Sequence, residues 1–213
     1  NLFCFEKENV VPDVVTISKA LGGGKRAIGA MVTSNKLFKS AYGNRDNCAL
    51  HSSTFSGIGE SCAVAIETLN YISDKNFLKS VDDKAVFLKS ELVSLHKKYP
   101  KYIKSIKGEG LFLGIEFDFG WVSKVASISK SKKISKMANG LGIAAIVRSL
   151  FKDYDVLVHF SGSNPSVLHL MPPLIISDSE IKLFITALRS MLNSSFESTL
   201  LRFLTGNLKD VIR

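Results

Sequence analysis

The chain has few of the residues that staple or ligate a fold. Its three cysteines, Cys4, Cys48 and Cys62, are an odd number with no C-x-x-C spacing, so neither a disulfide framework nor a zinc site is indicated. Reduced thiols in a cytoplasmic protein are the expectation. The four histidines are scattered and none forms a ligand pair at helical spacing, so no metal is assigned. No apolar run approaches the ~20 residues that cross a bilayer, and no basic segment followed by an apolar core opens the chain; no membrane partner is expected. Acidic residues are the minority, with 28 Lys and Arg against 19 Asp and Glu and a net charge of +9. The densest basic stretch carries Lys124, Lys130, Lys132, Lys133 and Lys136 among serines. It lacks the arginines and interleaved aromatics of a nucleic-acid surface and reads as a solvated loop or helix face. No nucleic-acid partner is expected, whereas a basic balance favours anionic small molecules.

With 213 residues, 46% hydrophobic and 22% charged, the chain has material for one large or two small domains. It starts at Asn1 rather than Met, within what reads as ordered structure, and is expected to be a stretch of a longer protein. The stretch with the most chemical content is Val14-Val15-Thr16-Ile17-Ser18-Lys19-Ala20-Leu21-Gly22-Gly23-Gly24. Val and Ile at this density predict a buried strand, and the glycines a turn where only a bare backbone fits. Lys19 then stands at a strand's end, where ligands gather in α/β folds. A lysine there loses hydration and presents an amine that can attack a carbonyl, which points to covalent amine chemistry. The alternative is a lysine that merely leaves the sheet for water. Neither glycine-loop motif fits: a P-loop would have glycine where Lys19 stands and Ser or Thr where Arg26 stands, and a dinucleotide loop would open a helix rather than a second strand.

The rest of the chain alternates between elements. Residues 1–13 read as the tail of an earlier element with a turn at Val10-Val11-Pro12-Asp13, 27–34 as a second strand and 35–50 as irregular. His51-Ser52-Ser53-Thr54-Phe55-Ser56-Gly57 concentrates hydroxyls ahead of a helix over 59–73, either as a phosphate seat or as an ordinary helix cap. A long helix over 75–98 repeats Phe77, Val81, Ala85, Leu88, Leu92 and Leu95 at steps of three and four. Strands are expected from about 103, over 111–117, at Val156–Phe160 and at Val167–Met171, with one or two helices inside 120–150. Ser177 and Glu180 form a capping box that opens a helix burying Ile181, Phe184, Ile185, Leu188 and Leu192. Leu200, Leu204, Leu208 and Val211 give an amphipathic tail over 196–213.

Taken together, these segments resemble the class III aminotransferases, the pyridoxal-phosphate enzymes that include ornithine and putrescine aminotransferases. The resemblance rests on Pro12 through Gly24, Ile28-Gly29-Ala30, His51 through Phe55, Gly108 through Glu116 and Pro172-Pro173-Leu174, in that order, and covers residues 1 to about 193. It implies an α/β chain of the fold type I pyridoxal-phosphate-dependent transferases: a partial large domain, the end of the central sheet, plus a C-terminal α+β small domain. The implied divisions are 1–74 for the cofactor-binding large domain, 75–99 for a connecting helix, 100–195 for the small domain and 196–213 for an extra tail.

The resemblance also implies a homodimer with a shared active site. Lys19 is the catalytic residue and holds pyridoxal 5'-phosphate covalently. Thr54, with Ser53, binds the cofactor phosphate of the other subunit. The reaction implied is transfer of an amino group from an amine or amino acid donor to a keto acid or aldehyde acceptor. Family members often carry an arginine near the substrate carboxylate, two residues into the strand before Pro-Pro; His169 stands there and is the candidate substrate-binding residue. The family's Phe-Gly-Gly-Asn is replaced by Phe55-Ser56-Gly57-Ile58. This stretch alone is expected to be inactive. The second reading is a catalytically incomplete remnant or regulatory subunit that acts as a dimerisation module.

Overall fold

The computed structural model describes residues 2–120, 132–194, 198–199 and 202–203, and over 132–139 the backbone alone. The chain divides into two compact units, Asn1–Ser80 and Val81–Arg213. The amphipathic tail expected over 196–213 lies for the most part outside the described residues, as does the basic stretch from Lys124 to residue 131.

In the first unit a 3-10 turn over Cys4–Glu8 ends at Asn9 in the left-handed region (φ 53°). Strands β1 (Val14–Ile17) and β2 (Ala30–Thr33) then pair antiparallel, from Val14 opposite Thr33 to Ile17 opposite Ala30. The Thr33 hydroxyl donates to the Asp13 carbonyl at 2.8 Å and closes the ribbon's end. The burial expected of Val14–Ile17 is not found, since Val14 and Thr16 are exposed and Val15 and Ile17 half-buried. The physical reason is that β1 has a single neighbour among the described residues, whereas its Val and Ile density is that of a strand covered on both faces.

The irregular stretch expected over 35–50 is also corrected, because helix α1 occupies Asn35–Tyr42. Ser34 caps it, its hydroxyl accepting the Leu37 N–H at 3.3 Å. No residue of α1 is buried, and with 8 residues it is too short for the recurrence of Leu37, Phe38, Ala41 and Tyr42 at helical spacing to announce it. Helix α2 spans Gly59–Ile72, as expected from the sequence; Ala65 is buried, while Ile66, expected on the same face, is exposed.

Helix α3 (Lys75–Lys98) runs through the boundary between the units. The second unit holds most of it, together with an antiparallel sheet of four strands: β3 (Ile103–Glu109), β4 (Phe112–Phe117), β5 (His159–Phe160) and β6 (Val167–Leu170), in the order β3-β4-β6-β5. Helices α4 (Lys132–Tyr154) and α5 (Asp178–Asn193) complete it. One sheet face is apolar and buried through Leu113, Ile115 and Phe117 of β4 and Leu168 and Leu170 of β6. Leu88, Leu92 and Leu95 of α3, Ile143, Ile146 and Leu150 of α4, and Ile181, Ile185 and Leu188 of α5 belong to the same core. The buried stripe of α3 is the one its spacing predicts.

Ser177 and Glu180 form the expected capping box, with the Ser177 hydroxyl accepting the Glu180 N–H at 3.2 Å and Glu180 accepting the Ser177 N–H at 2.7 Å. The expected strand over 156–160 is confined to His159–Phe160, and its partner ends at Leu170.

Candidate functional site

Lys19 follows β1 after one residue, Ser18, and opens a 3-10 turn over Lys19–Gly22. Its φ of 54° places a non-glycine residue in the left-handed region, a backbone strain of order 1–2 kcal/mol. The next two glycines, Gly23 (φ 57°) and Gly24 (φ 72°), share that region. A Cβ on Gly23 would meet the Thr68 hydroxyl of α2 at 2.6 Å, so only glycine lets the turn lie against that helix. Leu21 and Gly22 are buried there, and Arg26 pairs with Glu60 in the first turn of α2 at 2.6 Å. The lysine is thus carried by a turn held to α2 at two places, Gly23 against Thr68 and Arg26 with Glu60. Lys19 itself is exposed; the loss of hydration expected at a sheet's end is not provided by the described residues of this unit.

Ser53 and Thr54 lie in the turn before α2, in the same unit as Lys19. Neither caps that helix, whose N-cap is Ile58 and has no side-chain bond. Ser53 is engaged locally, its N–H donating to Ser56 Oγ at 3.1 Å and the two hydroxyls lying 3.2 Å apart. Thr54 is exposed, and among the described residues its hydroxyl has no hydrogen-bond partner. The alternative role as a helix cap is therefore excluded for both, and Thr54 is left with an unengaged donor. No hydrogen bond or ion pair joins Lys19 to either residue among the described residues.

His169 belongs to the second unit, on β6, half-buried on the sheet face opposite the core. Its cross-strand partners are Gly114 on one side and His159 on the other. The ring of Phe112 meets it edge-on at 6.1 Å between centroids, and Gly114 contributes no side chain, the space beside it being bounded by Val167 Cγ1, 3.1 Å from where a Cβ would stand. His159, His169, Pro172, Pro173 and Phe184 line a cavity of about 600 Å3. The pairing of His159 with His169 is a register fact that the linear sequence does not display.

The same sheet face carries Glu116, held at 2.8 Å from Lys104 Nζ and 2.8 Å from Ser105 Oγ, with Lys107 Nζ at 3.5 Å. The hydrogen bonds from Lys104 and Ser105 hold its carboxyl below the usual carboxylate range.

The family model for aminotransferase class III matches residues 1–192. The chain belongs to the class III aminotransferases. Among curated class III relatives, the aminotransferase PigE of a Serratia species is 28% identical over 214 residues, covering 87% of this chain and 25% of its own length. Among solved structures, an ornithine aminotransferase from Toxoplasma gondii aligns with a TM-score of 0.72 at 22% identity, over 93% of this chain and 40% of that one. An (S)-enantioselective omega-transaminase from Thermomicrobium roseum aligns with a TM-score of 0.69 at 24% identity, over 89% of this chain and 39% of that one. The chain thus spans a quarter of the curated relative and about two fifths of the solved ones. Its fold is a part of the α/β fold shared by these pyridoxal-phosphate-dependent transaminases. In the first unit the exposed amine of Lys19, on a strained turn followed by glycines, is chemically suited to an aldehyde, and the unengaged Thr54 hydroxyl to a phosphate oxygen.

Proposed function

We propose that the protein containing this chain is a pyridoxal-phosphate-dependent transaminase that moves an amino group from an amine or amino acid to a keto acid or aldehyde. The observation that carries the reading is Lys19, left-handed just past the end of β1 and followed by a left-handed Gly23 pressed on α2, inside a family match over residues 1–192. Lys19 Nζ would hold the cofactor aldehyde covalently, and Thr54, with Ser53 beside it, would donate to the cofactor phosphate of the other subunit. When bound, pyridoxal phosphate supplies an electron-accepting ring that makes the proton on the substrate's amine-bearing carbon removable. Lys19 Nζ, freed by the incoming amine, would take that proton as general base and later return one as general acid. His169, in the wall of the cavity it shares with His159, binds the substrate. The partner is a second copy of the protein, so that the site is shared across a dimer interface, and the compartment is the cytoplasm.

Borohydride reduction of the full-length protein loaded with cofactor should fix the label on Lys19, read by peptide mass mapping. Thr54→Ala should weaken cofactor affinity about tenfold to a hundredfold, the worth of one hydrogen bond to a charged group. A label on another side chain, or a full-length protein that stays colourless with the aldehyde, would defeat the proposal.

A further inference from the structure

Every residue lining the cavity of about 600 Å3 beside His159 and His169 belongs to the second unit. Its volume lies in the middle of the about 300–1,000 Å3 typical of small-molecule sites. On its inner side are core residues: Leu88 of α3, Leu170 of β6, and Ile181 and Phe184 of α5 are all buried. Its rim is also apolar but bare, with Leu157 82%, Met171 60% and Leu183 53% exposed. Backbone bonds fix the walls. The Val156 N–H donates to the Leu150 carbonyl at 2.9 Å, and the Ile176 N–H to the Pro173 carbonyl at 2.9 Å.

The charge of the lining is as informative as its apolarity. Asp155, His159, His169 and Glu180 are the polar residues along it, and every other lining residue is apolar. Neither Lys nor Arg is among the described residues that line it. Glu180 accepts the Ser177 hydroxyl and N–H, each at 2.7 Å, and these bonds hold its carboxyl below the usual carboxylate range. A carboxylate on a molecule entering the cavity would meet two carboxylates and no lysine or arginine, and a charge taken out of water without a partner is costly. A hydrocarbon there has the opposite balance, because it takes both its own surface and the bare rim out of water.

We propose that this cavity selects the substrate of the transaminase: an amine, and the carbonyl compound it becomes, with an apolar chain or ring in place of a carboxylate. The inference rests on the reading that His169 binds the substrate. The hydrocarbon packs on Leu170, Phe184 and the rim, and His159, opposite His169 across the β5–β6 pair, borders the same space. Leu157 and Leu183 are then specificity-determining positions on the rim.

The test uses the full-length protein loaded with cofactor and follows the half-reaction with one amine at a time, as loss of the bound aldehyde's absorbance. From propylamine to hexylamine, kcat/KM should rise about fourfold per methylene, the worth of burying one such group. 6-Aminohexanoate, a chain of the same length that ends in a carboxylate, should fall about tenfold or more below hexylamine. Leu157→Lys puts a cation at an exposed rim position. At an unchanged melting temperature, it should shift the kcat/KM ratio of the two about tenfold toward 6-aminohexanoate. The inference is overturned, with the transaminase reading intact, if 6-aminohexanoate is converted as well as hexylamine or if the series is flat from propylamine to hexylamine. A flat series together with a lower melting temperature for Leu157→Lys would assign the cavity to packing against another part of the protein. A holoprotein that converts no amine at all would defeat the transaminase reading and this inference with it.

Discussion

At the scale of single residues, two backbone facts organise the molecule. Lys19 adopts a left-handed conformation that a lysine seldom takes, and such strain persists only where surroundings over-determine it. Here the surroundings are the Gly23 contact with Thr68 and the Arg26–Glu60 pair. Gly142 is the second case, and it is a matter of space. A Cβ built there would lie 2.5 Å from Phe119 Cδ1, with Phe119 buried in the core. Alanine ordinarily improves a helix interior over glycine by about 1 kcal/mol, but overpacking a core costs about 1–3 kcal/mol. Because the ring is enclosed, the second effect should win. Gly142→Ala is expected to lower stability by about 1–2 kcal/mol, read as a lower urea midpoint at unchanged slope; a stabilised variant would mean that Phe119 moves aside freely. The sequence shows Gly140-Leu141-Gly142 within a helix but gives no reason for it. The reason is a ring more than twenty residues away, which no local pattern displays.

At the scale of elements, legibility follows burial. Helices α3 and α5 and strands β4 and β6 were readable because each buries one regular face, as Ala85, Leu88, Leu92 and Leu95 do on α3; α2, which buries Ala65 alone, was readable from its apolar spacing. Helix α1 was not, because its 8 residues give the Ser34 cap and a single repeat of an apolar pair, Leu37-Phe38 and Ala41-Tyr42, too short a run for the period to stand out. The paired outer face of β3 and β4 was equally hidden, since Ser105 and Glu116 meet through register alone. That face makes a pH prediction. Glu116 is held as a carboxylate by Lys104 and Ser105, which lower its pKa from the ordinary 4.5. A group with a depressed folded value contributes stability above its unfolded value and loses it as pH falls through the folded one. Stability of the second unit should therefore decline from about pH 4.5 downward, and Glu116→Gln should flatten that decline while lowering stability at neutral pH. Lys104, raised above 10.5 first by its hydrogen bond to Glu116 and then by that charge, gives the opposite limb: its contribution is complete below 10.5 and lost as pH rises through the folded value. Parallel acid unfolding curves for wild type and Glu116→Gln would place the acid sensitivity elsewhere.

At the scale of the whole chain, the two units differ in how much apolar surface each hides. Among the described residues of the first unit only Leu21 and Ala65 are buried hydrophobics, while Val11, Val14, Val32, Phe38, Leu50, Phe55, Ile66 and Tyr71 are exposed. A two-stranded ribbon is marginal on its own, and uncovered apolar surface forgoes about 25 cal/mol per Å2. Several hundred Å2 of it is comparable to the roughly 5–15 kcal/mol that separates a folded domain from its unfolded chain. The second unit has the opposite balance, with eleven side chains such as Leu92, Ile115 and Leu188 almost fully buried around one sheet face. The sequence contained this asymmetry in a misleading form: the apolar density of Val14–Ile17 is that of a covered strand, and the cover is not among the described residues. Hydrogen exchange on the 213-residue chain should accordingly find the amides of β1 and β2 exchanging orders of magnitude faster than those of β4, β6 and α5. An apolar dye should bind the chain, and residues 1–60 should be cut first by protease. In the full-length protein the same β1 and β2 amides should rank among the protected ones, because the surface that leaves them bare here is then covered. Equal protection of β1 and β4 in the isolated chain, with a single cooperative melt, would show that the first unit needs no such cover.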